Sequence, residues 1–202
     1  MRDEPNISAV ASLQPDFMGF IFYDKSPRYV GEDFSPPSID EEIQKTGVFA
    51  NQPLGFVMQE CDRCNLDAVQ LHGHEQPDYC QSIKLKGITV IKVFHLDESF
   101  DFKSTKDYQY KADYFLFDAK GKNLGGNGTA FDWALLEKYN YPTPFFLSGG
   151  LSQENISSIS KLKNPNLFGL DFNSGVEDSP GIKDIKKIKR VIEALKQMNR
   201  YE

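Results

Sequence analysis

Short apolar runs alternate with stretches of helical period from one end of the chain to the other. The runs are FMGFIF (17–22), GVFA (47–50), AVQL (68–71), VIKVF (90–94), YFLFD (114–118), FFL (145–147) and LFGL (167–170). Each is too brief for a stable helix, and most are rich in aromatic or β-branched residues, so each predicts a strand. Their near-continuous apolar character predicts burial on both faces, the mark of a parallel sheet. Helical patterns fill most of the gaps, at 53–64, 76–82, 132–138, 153–160 and 184–199, with another at 6–13 ahead of the first run. Pro53 and Pro77 are placed to open their helices from the first turn, where a missing N–H costs nothing. The segment 29–45 carries Pro36-Pro37 and predicts a shortened crossover.

Alternation of this kind, with no Pro-rich or Gly/Ser-rich linker, predicts one α/β domain over residues 1–202, wound as a (β/α)8 TIM barrel. A right-handed crossover requires a strand ahead of the helix at 6–13, and no apolar run stands there. The expectation is therefore a barrel whose strand 1 is missing from the given chain.

Composition narrows the class. At 40% hydrophobic residues, with 16 Phe and 9 Tyr among 202 residues, the chain can bury a sizeable core. The net charge of −6 disfavours a nucleic-acid surface, whose footprint is a basic stripe. No apolar run is long enough to span a bilayer, and MRDEPNISAV lacks the basic start and apolar run of a secretion signal. A soluble cytoplasmic protein is expected, with no membrane partner. The lysines from Lys183 to Lys196 are expected on the solvated face of an amphipathic helix.

Cys61, Cys64 and Cys80 are an odd set with no disulfide framework, as suits a reducing compartment. Cys61 and Cys64 have CxxC spacing, but a zinc knuckle needs a second ligand pair and a redox motif a strand-to-helix junction. Neither is present, and the pair is expected to be ordinary helix packing.

In a βα barrel the chemistry gathers at the C-terminal ends of the strands. The first run is followed by Ser26-Pro27-Arg28-Tyr29 and the third by His72-Gly73; the fifth ends at Asp118, ahead of a glycine-rich segment, 121–128. The sixth ends in Ser148-Gly149-Gly150 and the seventh in Asp171-Phe172-Asn173-Ser174-Gly175. Glycines at neighbouring late strand ends let backbone N–H groups approach a phosphate, and a following helix N-terminus adds about half a positive charge. Tight turns alone would also call for these glycines.

Six segments together carry a resemblance: SPRYV (26–30), GVFANQ (47–52), VQLHGHE (69–75), FDAKGKNLGGNGTAFDW (117–133), LSGGL (147–151) and DFNSGVEDSPGIKD (171–184). In this order they resemble the successive signatures of phosphoribosylanthranilate isomerase, an enzyme family of tryptophan biosynthesis. The resemblance implies an Amadori rearrangement of N-(5-phosphoribosyl)anthranilate to 1-(2-carboxyphenylamino)-1-deoxyribulose 5-phosphate, with no metal and no organic cofactor. It implies Asp118 as general acid on the ribose ring oxygen, with a pKa raised by burial or neighbouring negative charge. It implies Arg28 as the clamp on the anthranilate carboxylate, and Gly149, Gly150, Ser174 and Gly175 as the phosphate cradle. His72 and Asp171 point to the same mouth but take no assigned role; a hydrogen-bonded structural part is expected for both.

The family opens with a strand of the form Lys-x-Cys-Gly-Met, whose cysteine is the general base. Met1-Arg2-Asp3 resembles the continuation just after it, so the base is expected to be absent from these 202 residues. A phosphosugar-binding barrel without turnover is the alternative from another class, and ligand affinity without catalysis would mark it. Ribulose-phosphate epimerase would need metal-binding histidines at strand ends, and only His72 stands squarely at one. Indole-glycerol-phosphate synthase would need a catalytic lysine and an added N-terminal segment.

Overall fold

A computed structural model describes residues 1–119 and 133–198. Helix α1 (Glu4–Ala11) leads into strand β1 (Phe17–Ile21), followed by β2 (Gln44–Phe49), α2 (Leu54–Cys64), β3 (Ala68–Leu71), α3 (Pro77–Lys84) and β4 (Thr89–Leu96). Strands β5 (Tyr114–Ala119), β6 (Phe145–Ser148) and β7 (Leu167–Leu170) complete a curled, all-parallel sheet in sequential order. A small antiparallel pair, β8 (Glu177–Ser179) with β9 (Ile182–Lys183), precedes the last helix α4 (Ile185–Met198). All seven strands expected from the apolar runs are present, and the hairpin β8–β9 was not foreseen because its few residues are mostly polar.

The helix ends follow local chemistry. Asp3 caps α1 by accepting the N–H of Asn6 at 2.9 Å. Pro77 opens α3 as expected, whereas Pro53 stands one place earlier than expected, as the extended residue that caps α2. Asn65 closes α2 with φ at +47°, a left-handed conformation that asparagine tolerates. Among the described residues, the connections between β4 and β5, β5 and β6, and β6 and β7 carry 3₁₀ turns, at Phe102–Tyr108, Trp133–Lys138 and Ile156–Lys161. The α-helices expected at the latter two places are thus replaced by tighter turns. ISSISK alternates serine with β-branched residues, both weak helix formers, and runs of this length do not sustain α-helix alone. Asp132 and Asn199, the expected outer ends of two helices, lie outside the described residues, as does the glycine-rich segment 121–128. The connection at 29–45 holds no helix, in line with its prolines.

Alternation along each strand sorts side chains into two layers. Met18, Phe20, Phe49, Leu71, Phe115, Phe117 and Phe145 point outward and share one core cluster with Val57 of α2 and Cys80 and Ile83 of α3. Each such side chain contributes roughly 1.5–3 kcal/mol on burial. Ile91, Val93, Leu116 and Phe146 form a separate cluster on the inner face, joined by Phe17 and Tyr114. Going up the inner face, Ile91 and Val93 are followed by His95 on β4, and Tyr114 and Leu116 by Asp118 on β5. The apolar plug therefore passes into polar groups at the C-terminal ends of the strands.

Lys92 is the exception in the outer layer. Its ammonium is buried and donates to the carbonyls of Leu71 (3.1 Å) and Gly73 (2.7 Å) and to Glu75 Oε2 (2.8 Å). Glu75 also accepts from the N–H of Asn51 at 2.7 Å and of Gly73 at 3.1 Å. Burial pushes the Glu75 carboxyl up, but Lys92 and the N–H of Asn51 outweigh it and hold it below its usual range. The pair thereby fastens the loops after β2 and β3 to strand β4.

Lys92→Met should destabilise the fold by about 3–5 kcal/mol at pH 7, since it strands a buried carboxylate. Because the Glu75 pKa is depressed in the native state, its contribution is present above the ordinary carboxylate range and lost as pH falls through the native value. The gap between wild type and Lys92→Met should accordingly narrow in acid, and Lys92→Met with Glu75→Leu should recover most of the loss. Urea unfolding of the three proteins at pH 7 and in mild acid measures this; a deficit under 1 kcal/mol at pH 7 would contradict it.

Candidate active site

Polar side chains meet across the mouth of the sheet. Gln70 and His72 come from the end of β3, His95 from β4, Asp118 from β5 and Asp171 from just beyond β7. His95 Nδ1 lies 3.1 Å from Asp118 Oδ2, and His72 Nε2 stands 3.7 Å from the same oxygen, an ionic rather than a direct hydrogen-bonding distance. His72 Nδ1 is 3.2 Å from Gln70 Oε1, while Gln70 Nε2 donates to Asp171 Oδ2 at 3.3 Å. The imidazole rings are 5.1 Å apart and each is about a third exposed, so the row is open to solvent on the mouth side.

The electrostatics of Asp118 differ from expectation. Its carboxyl was expected above the ordinary range; instead His72 and then His95 hold it well below, and burial opposes them only in part. The two imidazoles beside the carboxylate together outweigh its desolvation. Asp171 shows the opposite balance: desolvation raises it, and the hydrogen bond from Gln70 does not fully offset this. The ligand atoms of His72, His95 and Asp118 all lie within 4.8 Å of one another, but they are already engaged with each other and with Gln70, and none is taken as a metal ligand.

Arg28, in the loop after β1, meets Glu177 in a two-pronged ion pair. Its Nε donates to both carboxylate oxygens at 2.9 Å and its Nη2 to Oε2 at 2.6 Å. Glu177 is buried and also accepts from the Gly181 N–H at 3.1 Å and Lys183 Nζ at 3.2 Å. Burial raises the Glu177 carboxyl, but Arg28 and Lys183 more than reverse this and hold it low. Lys183, expected on a solvated face, is drawn inward by Glu177 and by the carbonyl of Asn173 at 2.9 Å.

The late strand ends touch. Gly149 and Gly150 have φ of +92° and +66°, conformations that favour glycine. Gly175 abuts the loop after β6 so closely that a Cβ would collide with the carbonyl oxygen of Leu151. Exposed Ser174 opens a three-residue 3₁₀ turn, Ser174–Val176, beside it. After β6 the expected α-helix is replaced by a 3₁₀ turn, whereas after β7 the 3₁₀ turn and the hairpin β8–β9 stand before the expected helix, α4.

The cysteines are remote from the mouth. All are buried on α2 and α3, where burial pushes the Cys61 thiol up to about 12 and Cys80 up to about 11, so neither is a poised thiolate. Cys64 packs against the Phe34 carbonyl.

Comparison with known proteins gives this arrangement its context. A family model described as N-(5'phosphoribosyl)anthranilate (PRA) isomerase matches residues 2–194. The chain belongs to that family. A relative from Parabacteroides distasonis, named N-(5'-phosphoribosyl)anthranilate isomerase, is 40% identical over 199 residues, covering 96% of this chain and 90% of its own. One of the same name from Phocaeicola vulgatus is 38% identical, covering 98% and 95%. The solved phosphoribosyl anthranilate isomerase of Thermotoga maritima superposes with a TM-score of 0.78 at 31% identity, over 98% of this chain and 96% of that one. Another solved isomerase, in complex with reduced 1-(o-carboxyphenylamino)-1-deoxyribulose 5-phosphate, gives a TM-score of 0.76 at 29% identity, over 98% and 95%.

The fold neighbours confirm an α/β barrel of the isomerase type. The match runs along nearly the whole length, and the expectation of a missing first strand finds no support in it. Two residues at this mouth, His95 and Glu177, were given no role in the sequence reading. His95 was detectable, since period-2 extension of β4 beyond Phe94 places it on the face of Ile91 and Val93. Glu177 carried no such signal; its partner lies 149 positions away.

Gly175→Ala should cost about 1–3 kcal/mol, because the added methyl has only backbone to push against. Gly150→Ala meets no atom and should cost about 1–2 kcal/mol through its left-handed backbone alone. Thermal unfolding compares the two, and an unchanged Tm for Gly175→Ala would rule out the tight contact between the late loops.

Proposed function

We propose that the barrel mouth performs the family's Amadori rearrangement with Asp118 as the general acid. The observation that carries this is the place of Asp118: on the inner face, at the C-terminal end of β5, with two imidazoles directed at one carboxylate oxygen. The reaction begins with protonation of the ribose ring oxygen, which opens the ring. A general base, in the family a cysteine on the opening strand, then removes the C2 proton, and the enolamine so formed tautomerises to the aminoketose. Positioned proton transfers of this kind accelerate a step by ~10²–10⁴-fold.

Arg28 would receive the anthranilate carboxylate. A guanidinium carries five N–H donors in a fixed plane, and Glu177 engages Nε and Nη2. Glu177 thereby sets the plane of the fork that the substrate meets. Gly149, Gly150, Ser174 and Gly175 would hold the phosphate, their two loops being in contact and glycine lowering the steric barrier to a close backbone approach. The substrate is a small phosphosugar, needing neither a metal nor an organic cofactor. Among the described residues no helix is long and apolar enough to cross a membrane, and a cytoplasmic location suits three free thiols.

In a chain that carries the family's cysteine-bearing strand ahead of Met1, Asp118→Asn should reduce turnover by at least about 10²-fold and leave binding of the reduced product analogue intact, since an amide matches the acid in shape but cannot deliver its proton. Arg28→Ala should instead weaken analogue binding by about 1.5–3 kcal/mol, the worth of a hydrogen bond to a charged group. Fluorescence loss of the anthranilate riboside reports turnover, and calorimetry reports affinity. Near-normal turnover by Asp118→Asn would end the assignment of the acid.

A further inference from the structure

Asp118 presents a chemical difficulty that its neighbours resolve. A carboxyl with two imidazoles directed at it is held in its charged form, and a carboxylate has no proton to give. The proton must reach Asp118 from a group in contact with it, at the moment of use.

The hydrogen-bond pattern distinguishes the two imidazoles. Gln70 gives its amide N–H to Asp171, so its Oε1 faces His72 and must accept; the proton on His72 Nδ1 is thereby fixed in place. His72 is held from behind by this chain, which runs back across the sheet to β7. His95 is held differently. Its Nδ1 meets Asp118 at 3.1 Å, no group among the described residues bonds to its Nε2, and its side chain is 37% exposed at the mouth. One nitrogen of His95 thus contacts the acid, while the other has no protein partner among the described residues, on a side chain that is exposed.

We infer that His95 is the positioning residue that loads the proton onto Asp118, acting as a relay from solvent to the general acid. This rests on the assignment of Asp118 made above. In the step, the proton on His95 Nδ1 passes to the Asp118 carboxylate, and Asp118 passes a proton to the ribose ring oxygen. The bond from C1 to that oxygen breaks, its electron pair staying on oxygen, and the nitrogen lone pair of the anthranilate forms C=N to C1. As His95 Nδ1 gives up its proton, Nε2 takes one from solvent, so Asp118 is left as the carboxylate and His95 as neutral imidazole with its proton on Nε2. The positive charge of the solvent proton has moved to the iminium nitrogen, and no oxidant, reductant or co-reactant is required. Among the described residues, the other charged or titratable groups facing this relay are His72 just after β3, Asp171 beyond β7 and Lys183 on β9, the last acting through Asp171.

Substitutions that separate proton supply from hydrogen bonding test the relay. Glutamine at 95 can still donate an N–H toward Asp118 but releases no proton; alanine does neither. In the same cysteine-bearing chain, His95→Gln and His95→Ala should both lose tenfold or more in kcat, with KM and affinity for the reduced product analogue within twofold of that parent. Imidazole added to His95→Ala should restore part of kcat, since the position opens to solvent. Full kcat in His95→Gln overturns the relay, whether because His95 is dispensable or because only its hydrogen bond matters. Failure of imidazole to restore any kcat in His95→Ala overturns it as well. Asp118→Asn is measured alongside: if that variant keeps turnover, the acid itself has been misassigned, whereas an inactive Asp118→Asn beside a fully active His95→Gln defeats the relay alone.

Discussion

Everything at the mouth of this barrel depends on the twofold alternation of side chains along strand β4. Lys92 faces outward and His95 inward, and both are placed by the same register with β5, in which Lys92 lies opposite Phe115 and His95 opposite Asp118. A slip of one residue would turn the buried ammonium toward the inner face and the imidazole toward the helices. Apolar neighbours on both faces make such a slip costly, because Ile91 and Val93 would leave the inner cluster as Val90 and Phe94 left the outer one.

The buried Lys92–Glu75 pair has a consequence beyond stability. By binding the carbonyls of Leu71 and Gly73, Lys92 fixes the backbone on both sides of His72. The imidazole that faces Asp118 is therefore placed by a charge on the opposite side of the sheet. Desolvation makes such a pair a weak source of net stability, but one that tolerates little displacement. Rigid support behind a site and solvent in front of it is the arrangement that proton transfer at the mouth requires.

Arg28 and Glu177 follow a similar logic at the other side of the mouth. A lone arginine on the loop after β1 would sample many orientations. Locked to a buried carboxylate that is itself held by Lys183 and the Gly181 N–H, the guanidinium has one plane. The small hairpin β8–β9, which has no counterpart among the apolar runs, carries both Glu177 and Lys183. It brings the far end of the chain against the loop of the first strand.

The sequence by itself determined the seven strands, the parallel sheet and the positions at strand ends where polar groups would gather. Apolar runs bounded by turn residues carry that information locally, and the six ordered signatures carried the family. It also placed Asp118, Arg28 and the late glycines at the mouth. What only the tertiary structure decided is how those groups are charged and paired. Asp118 was expected to hold its proton because the resemblance made it a general acid, with which the apolar run before it was compatible. The imidazoles that reverse this come from two other strands, 46 and 23 positions away for His72 and His95. Arg28 looked like an open clamp because Glu177 is 149 residues distant. The 3₁₀ turns that replaced α-helices after β5 and β6 likewise reflect packing over short spans, which helical periodicity does not register. A pKa is set by groups that approach through space, and the order of residues along the chain does not contain those distances.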